Sequence, residues 1–325
     1  MDHDGRSCAF ASERTVTTSS SPVIFVSFVS PYACRLLAIA GRRIRRVAFV
    51  AGVVASAAAF GQPSLTLPNR PDSLKFAAIG DNGTGDGPQY EIAQQMINAR
   101  GEFPFDLVIM LGDNMYGSQQ PADFVKKFEQ PYAPLLSAGV TFQASLGNHD
   151  RPENVFYKPF NMNGERYYTF ARKNVRFFAL DSTRMDPRQV AWIETSLQNA
   201  REDWKICYFH HPLYSNASRH GSSVDLRVLL EPIFVKHGVN VVLSGHDHVY
   251  ERLKPQKGIF YFVSGSAGQL RKGNLRPTDQ TDAYFDQDQS FMLLEISGTE
   301  LHFQAISRAG KTVDSGVIRA VGAGR

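Results

Sequence analysis

Phe105-Asp106-Leu107-Val108-Ile109-Met110-Leu111-Gly112-Asp113-Asn114-Met115-Tyr116 is the most informative stretch of this chain. Its apolar run is short and stops at a glycine, the pattern of a buried strand. A strand that ends in Gly-Asp presents a carboxylate at the edge of its sheet. Tyr116 follows three residues later, about one turn away if the backbone curls. Carboxylate and phenolate are hard oxygen donors, matched to hard cations rather than soft ones.

Four other apolar runs end in the same way. Leu74-Lys75-Phe76-Ala77-Ala78-Ile79 leads into Gly80-Asp81. Val140-Thr141-Phe142-Gln143-Ala144-Ser145-Leu146 leads into Gly147-Asn148-His149-Asp150. Ile206-Cys207-Tyr208-Phe209 leads into His210-His211-Pro212, and Val239-Asn240-Val241-Val242-Leu243-Ser244 into Gly245-His246-Asp247-His248. Each delivers a potential metal ligand just past a strand. Helical patterns over 88–99, 123–136, 187–200 and 224–237 separate several of these runs. Strands alternating with helices imply an α/β fold with mainly parallel strands, whose sites gather past the carboxyl ends of the strands. Further strands are expected over 166–171 and 175–180. After Lys257, the segments 258–263, 290–296, 300–307 and 312–319 alternate without helices and read as a β meander in a second sheet. The polar segment 271–289 reads as a surface loop near the site, and its Arg271-Lys272 pair as solvated charge, with contact to an anionic substrate the alternative.

Composition narrows the class. The 325 residues are 43% hydrophobic and 20% charged, ordinary for a globular protein. The net charge of +4 is concentrated at one end. Residues 1–60 hold seven arginines and three acids, which leaves 28 of the 35 Lys/Arg and 28 of the 31 Asp/Glu for the rest. A neutral body carries no general signature for nucleic acid. Arg42-Arg43-Ile44-Arg45-Arg46 followed by the apolar run 47–60 reads as a secretory signal within a leader of residues 1–60. The run is short for a membrane span, so no stable membrane insertion of the mature body is expected. Residues 61–72, with Pro63, Pro68 and Pro71, read as a linker, and 73–325 as the catalytic domain. Of the three cysteines, Cys8 and Cys34 lie in the leader. Cys207 reads as a small core residue.

Singly, these strand ends mean little, because Gly-Asp after a strand is usually a turn. As a set they supply Asp81, Asp113, Tyr116, Asn148, one of His210 and His211, His246 and His248. That exceeds what one tetrahedral zinc needs. It suits two cations about 3.5–4 Å apart sharing a carboxylate, the clamp for in-line displacement at phosphorus.

The ordered motifs Gly80-Asp81-Asn82-Gly83, Gly112-Asp113-Asn114-Met115-Tyr116, Gly147-Asn148-His149-Asp150, His210-His211-Pro212 and Gly245-His246-Asp247-His248 resemble the calcineurin-like metallophosphoesterase superfamily. Tyr116 and the run Gly245-His246-Asp247-His248-Val249-Tyr250-Glu251-Arg252 narrow the resemblance to purple acid phosphatases of the small, tartrate-resistant type. The resemblance implies a four-layer αββα sandwich, two packed mixed β-sheets flanked by helices. It implies a ferric ion on Asp81, Tyr116 and His248 and a divalent ion (iron, zinc or manganese) on Asn148, His210 and His246, with Asp113 bridging. Its His-x-Pro pattern selects His210 over His211. The implied activity is that of an exported, periplasmic or extracellular acid phosphatase. It would hydrolyse phosphate monoesters on a small molecule or protein through metal-activated hydroxide. Phosphodiester or nucleotide hydrolysis on the same site is the second reading, and a non-catalytic phosphate- or metal-binding protein the third. His149, beside Asn148, is expected to contact the phosphoryl group. His220, in Ser218-Arg219-His220-Gly221, resembles the family's second active-site histidine, one residue further from His210 than in the small type. Asn82 stands where that type often carries an aromatic residue at the pocket rim.

Overall fold

Every residue of β1 (Leu74–Ile79) and β2 (Leu107–Met110) is buried, as continuous apolar runs require of strands covered on both faces. The computed structural model describes residues 62–320; the leader expected over 1–60, and its signal, lie outside the described residues. Helix α1 (Gly87–Glu102) separates the first two strands, and α2 (Pro121–Phe124) and α3 (Gln130–Ser137) precede β3 (Thr141–Ala144). Then come β4 (Tyr168–Arg172), β5 (Val175–Ala179), α4 (Pro187–Asn199), β6 (Trp204–Phe209), α5 (Val224–Lys236) and β7 (Val241–Ser244). The chain closes with β8 (Tyr250–Leu253), β9 (Phe260–Ser264), β10 (Thr281–Phe285), β11 (Ser290–Ser297), β12 (Glu300–Ser307) and β13 (Thr312–Arg319).

The strands form two mixed sheets. One has the order β13-β12-β11-β1-β2-β3, the other β10-β8-β9-β7-β6-β5-β4. Alternation along each strand sends neighbouring side chains to opposite faces. Phe76, Ala78, Leu107 and Ile109 meet Phe177, Ile206, Tyr208 and Leu243 between the sheets. Ala77, Ile79, Val108 and Met110 face Ile92 and Met96 of α1 and Tyr132 and Leu135 of α3. On the far side, Phe178, Cys207 and Phe209 face Ile193 and Leu197 of α4 and Leu230 and Phe234 of α5. The result is the expected helix–sheet–sheet–helix sandwich. Across its middle, the Phe76 and Phe177 rings meet edge to face at 5.4 Å, worth about 0.5–1.5 kcal/mol beyond their burial.

Three expectations need correction. The C-terminal meander does not build a second sheet. Strands β11 to β13 extend the first sheet, with β11 antiparallel to β1. Strand β9 instead lies parallel to β7 in the other sheet. Alternation tells which residues share a face and says nothing of which strand is the neighbour. The polar segment 271–289 is not all loop, since it contains β10, paired with β8. Residues 62–72 are not a free linker. The buried Glu295 carboxylate accepts the backbone N–H groups of Asn69 (2.7 Å) and Arg70 (2.6 Å), and Leu65 and Leu67 pack on the core.

The helical pattern over 123–136 is present but broken by a π turn at Val125–Glu129. Pro131 has no N–H to return to the Lys127 carbonyl, and Gln89 Nε2 donates to that carbonyl instead, at 2.5 Å. The turn directs Lys127 Nζ onto the carbonyls of Tyr116 and Ser118, both at 2.6 Å. Strand ends share a second irregularity. Asp81 (φ 55°), Asp113 (φ 52°) and His246 (φ 70°) are all left-handed, at a cost of about 1–2 kcal/mol each.

Two stability predictions follow from these contacts. Glu295→Ala should lose about 3 kcal/mol in chemical denaturation, because two charge-assisted hydrogen bonds disappear together. If the left-handed backbone at His246 is strained, His246→Gly should be more stable than His246→Ala by about 1 kcal/mol in metal-free protein. Equal midpoints for the two variants would contradict that strain.

Candidate metal centre

The carboxyl ends of β1, β2 and β3 from one sheet and of β6 and β7 from the other open onto one place. Backbone bonds lace them together. Asp81 N donates to Gly112 O (3.0 Å), Gly245 N to His210 O (3.0 Å) and Tyr116 N to Gly83 O (2.9 Å). The glycines are required by close approach. A Cβ on Gly112 would lie 2.7 Å from His210 Nδ1, and one on Gly147 2.2 Å from Asp113 N.

All seven sequence-predicted ligands come together, in two groups around Asp113. In the first, the Tyr116 hydroxyl donates to Asp81 Oδ1 at 2.9 Å and lies 3.2 Å from His248 Nε2, which is itself 3.3 Å from Asp81 Oδ1. In the second, His210 Nε2 lies 3.0 Å from Asn148 Oδ1 and 3.1 Å from His246 Nδ1. Asp113 belongs to both. One of its oxygens lies within 4.8 Å of donor atoms of Asp81 and His248, and its Oδ2 is 3.4 Å from His210 Nε2. His210, not His211, faces Asp113 and Asn148, as the motif implied. Its Nδ1 donates to the Leu111 carbonyl at 3.0 Å, which leaves Nε2 free as a ligand. His211, the member of the pair that the motif set aside, shares a potential ligand group with His210 and His246. Its Nδ1 is 2.9 Å from Ser182 Oγ.

Electrostatics test whether cations fit. Asp81 is 0% and Asp113 1% exposed. Among the described residues no lysine or arginine pairs with either; only histidines do. Buried carboxylates whose charge is incompletely matched cost several kcal/mol each, and histidines alone face these two, so the donor set fits bound cations. Burial would raise Asp113, but His210 outweighs it and holds the carboxyl well below the usual range. Burial would lower His210, but Asp113 and Asp81 outweigh it and raise it to about 9. His246 is pushed down to about 2 by burial and then by His210, His211 and His220. In the neutral form one ring nitrogen keeps its lone pair for a cation. Burial, then Asp81 and Asp113, hold the Tyr116 phenol far above its usual range. Only a nearby positive charge would ionise it.

The neighbouring acids hold the loops. Asp150 Oδ2 accepts from Gly147 N (2.9 Å) and from Asn114 N and Nδ2 (3.1 and 2.8 Å), and its Oδ1 from Met115 N (2.9 Å). It thereby ties the Asn148 loop to the Tyr116 loop. Asp247, between the two ligand histidines, turns inward. Its Oδ2 accepts from Ser215 Oγ (2.7 Å) and Gly221 N (3.1 Å), anchoring the loop that carries His220.

His149 and His220 are both exposed and stand at the mouth. His149 donates its backbone N–H to Asp113 Oδ1 at 2.8 Å, and its ring lies 4.7 Å from that of Tyr116. The His220 ring lies 4.2 Å from that of His246, so the extra residue in the spacing does not remove it from the site. Asn82 is fully buried and does not shape the rim. Arg271, read from sequence as solvated, reaches the site instead, with Nε 3.3 Å from His248 Nδ1 and its backbone N–H on the His248 carbonyl at 3.0 Å.

Comparison with known proteins agrees with this geometry. Residues 74–250 match the family model described as calcineurin-like phosphoesterase. The tartrate-resistant acid phosphatases type 5 of Oryctolagus cuniculus and Homo sapiens are each 27% identical, over 77% of this chain and 93% of theirs. Purple acid phosphatase 17 of Arabidopsis thaliana is 24% identical, over 63% of this chain and 71% of its own. Among solved structures, the purple acid phosphatase from yellow lupin (Lupinus luteus) seeds superimposes with a TM-score of 0.63 at 19% identity, covering 78% of this chain and 55% of that one. The inner-membrane-complex anchor GAP50 of Plasmodium superimposes with a TM-score of 0.65 at 18% identity, covering 76% and 89%. At such identities the structural likeness speaks for the fold alone. With the family model spanning more than half of its length, the chain belongs to the calcineurin-like phosphoesterase family and is a phosphoric-ester hydrolase.

Proposed function

We propose that the chain is an exported acid phosphatase that hydrolyses phosphate monoesters at a binuclear Fe(III)–M(II) centre, with M iron, zinc or manganese. One observation carries this reading: Tyr116, Asn148, His210, His246 and His248 gather around two buried carboxylates, Asp81 and Asp113, that no lysine or arginine among the described residues neutralises. Asp81, Tyr116 and His248 would hold the ferric ion, Asn148, His210 and His246 the divalent ion, and Asp113 both. The bound cations supply Lewis acidity, neutralising charge on the phosphoryl oxygens and acidifying water.

The chain's own residues do the rest. Asp150 and Asp247 hold the ligand loops in register, so little reorganisation is needed as charge develops. His149 is placed to donate a hydrogen bond to a phosphoryl oxygen. As the phosphorus–oxygen ester bond breaks, the departing alkoxide takes a proton, and exposed His220 is placed to provide it. A substrate of this kind is a phosphorylated small molecule or protein, and the neutral body carries no general basic signature for nucleic acid. Among the described residues no helix is long and apolar enough to cross a membrane.

Metal analysis with a visible spectrum and paired assays on an aryl monophosphate and a bis-aryl phosphate test the proposal. The expected outcome is one iron plus one divalent ion, a visible band and faster monoester hydrolysis. A colourless, active protein holding only zinc or manganese would overturn the ferric assignment, and a faster diesterase the monoester assignment. Asp113→Asn should lower kcat by about a thousandfold or more and deplete both metals. Tyr116→Phe should abolish the visible band; a band that survives would remove the phenolate from the iron.

A further inference from the structure

The stretch His210-His211-Pro212 carries a second imidazole at the position the motif leaves open. In a straight strand, neighbouring side chains point to opposite faces, and His211 would turn away from the centre that His210 faces. Strand β6 ends at Phe209, however, and the chain bends through both histidines. Their rings stand edge to face with centroids 5.0 Å apart, and the His211 ring lies 4.4 Å from that of His246. One ring nitrogen from each of His210, His211 and His246 falls within 4.8 Å of the other two, a spread that a small ring rotation closes onto one cation.

A sixth strand end holds His211 in place. Just past β5, the buried Asp181 carboxylate accepts from Arg166 Nε (2.5 Å) and from the Thr183 N–H (2.9 Å). Gln189 of α4, also buried, clamps the Asp181 backbone, accepting its N–H at 2.8 Å and donating to its carbonyl at 3.0 Å. Ser182 follows this clamp. Its Oγ accepts the His211 backbone N–H at 3.0 Å and lies 2.9 Å from His211 Nδ1. A hydroxyl oxygen has two lone pairs, so Ser182 can accept Nδ1–H as well. That tautomer leaves the Nε2 lone pair for a cation, and a ligand imidazole ordinarily gives its other N–H to such a partner. His210 is arranged alike, with its Nδ1 on the Leu111 carbonyl.

The two halves of the centre also differ in donor chemistry. Asp81 and Tyr116 make the first oxygen-rich, with His248 as its imidazole. The second has the imidazoles of His210 and His246 beside the Asn148 amide oxygen. Oxygen donors suit hard ions such as manganese, and imidazole suits borderline ions such as zinc. Three imidazoles with a further position open to water or substrate form a recurring catalytic zinc site.

We propose that His211 is a third imidazole ligand of the second cation, oriented by Ser182, and that it biases this position toward zinc over manganese. The inference rests on the reading that places a divalent ion on Asn148, His210 and His246, and it adds both a ligand and a metal preference to it.

Metal-free protein is titrated with Zn2+ and with Mn2+ by calorimetry, and with Co2+ by visible absorption. The second position is the binding event that His246→Ala removes. At that event, His211→Ala should weaken zinc about tenfold or more and manganese less, so the zinc-to-manganese affinity ratio falls, and the Co2+ bands should shift. His211→Phe keeps a ring packed against His246 but offers no nitrogen, and should behave as His211→Ala does. Ser182→Ala should give a smaller loss of the same kind. Full zinc affinity in His211→Phe would overturn the ligand role and reduce His211 to packing. Zinc and manganese weakened equally would overturn the metal preference. If the unsubstituted protein shows no event that His246→Ala removes, the divalent position itself falls and His211 with it.

Discussion

Two carboxylates, Asp81 and Asp113, sit where water is excluded and no lysine or arginine reaches them. The rest of the site follows from that constraint. An unneutralised charge in such surroundings costs several kcal/mol, so the histidines around it are drawn into taking protons. His210 does so, while burial first and the His210 charge second push His246 and His211 toward the neutral form. A centre poised in this way exchanges protons for cations. The metal-dependent hydrolysis of phosphoesters expected of this family needs that exchange.

Holding such a centre requires a stiff frame. Left-handed Asp81, Asp113 and His246 are each unfavourable locally, and they persist because both sheets, the glycine contacts and the Asp150 and Asp247 braces over-determine them. The braces use carboxylates as acceptors for several N–H groups at once. The π turn adds a third support, since it brings Lys127 onto the carbonyl of Tyr116. Stability is thus spent at strand ends and recovered in loops.

Much of this was legible in the amino-acid sequence, and the reasons are local. Strand endings such as Gly112-Asp113 and Gly245-His246 reveal a ligand because the glycine and the ligand are adjacent in the chain. Asp81, Asp113, Asn148 and His246 directly follow a glycine; Tyr116, His210 and His248 came from the residues around the same strand ends, and the four-layer architecture came from the family resemblance. Sheet membership could not be read, because the partner of β1 on its open side is β11, more than two hundred residues away, and alternation is silent about partners. His211 was set aside because a motif prefers one histidine of a pair, although both belong to one potential ligand group. Arg271 looked solvated because the loop around it is polar, and only the Ala217–Leu275 bridge and its bond to the His248 carbonyl bring it inward. The linker reading of 62–72 failed on Glu295, whose partners are backbone groups and leave no trace in sequence.

The pairing of β11 with β1 also bears on the order in which the molecule is made. Strand β1 carries Asp81 at its end, and one of its edges stays open until residues 290–297 have been synthesised. Every candidate ligand, the last being His248, therefore precedes in the chain the strand that closes the sheet beside the first. Long-range closures of this kind are slow, and an open apolar edge invites association with other chains. The arrangement of the strand ends is consequently a property of the chain from β1 through β11 rather than of the segment that holds the candidate ligands.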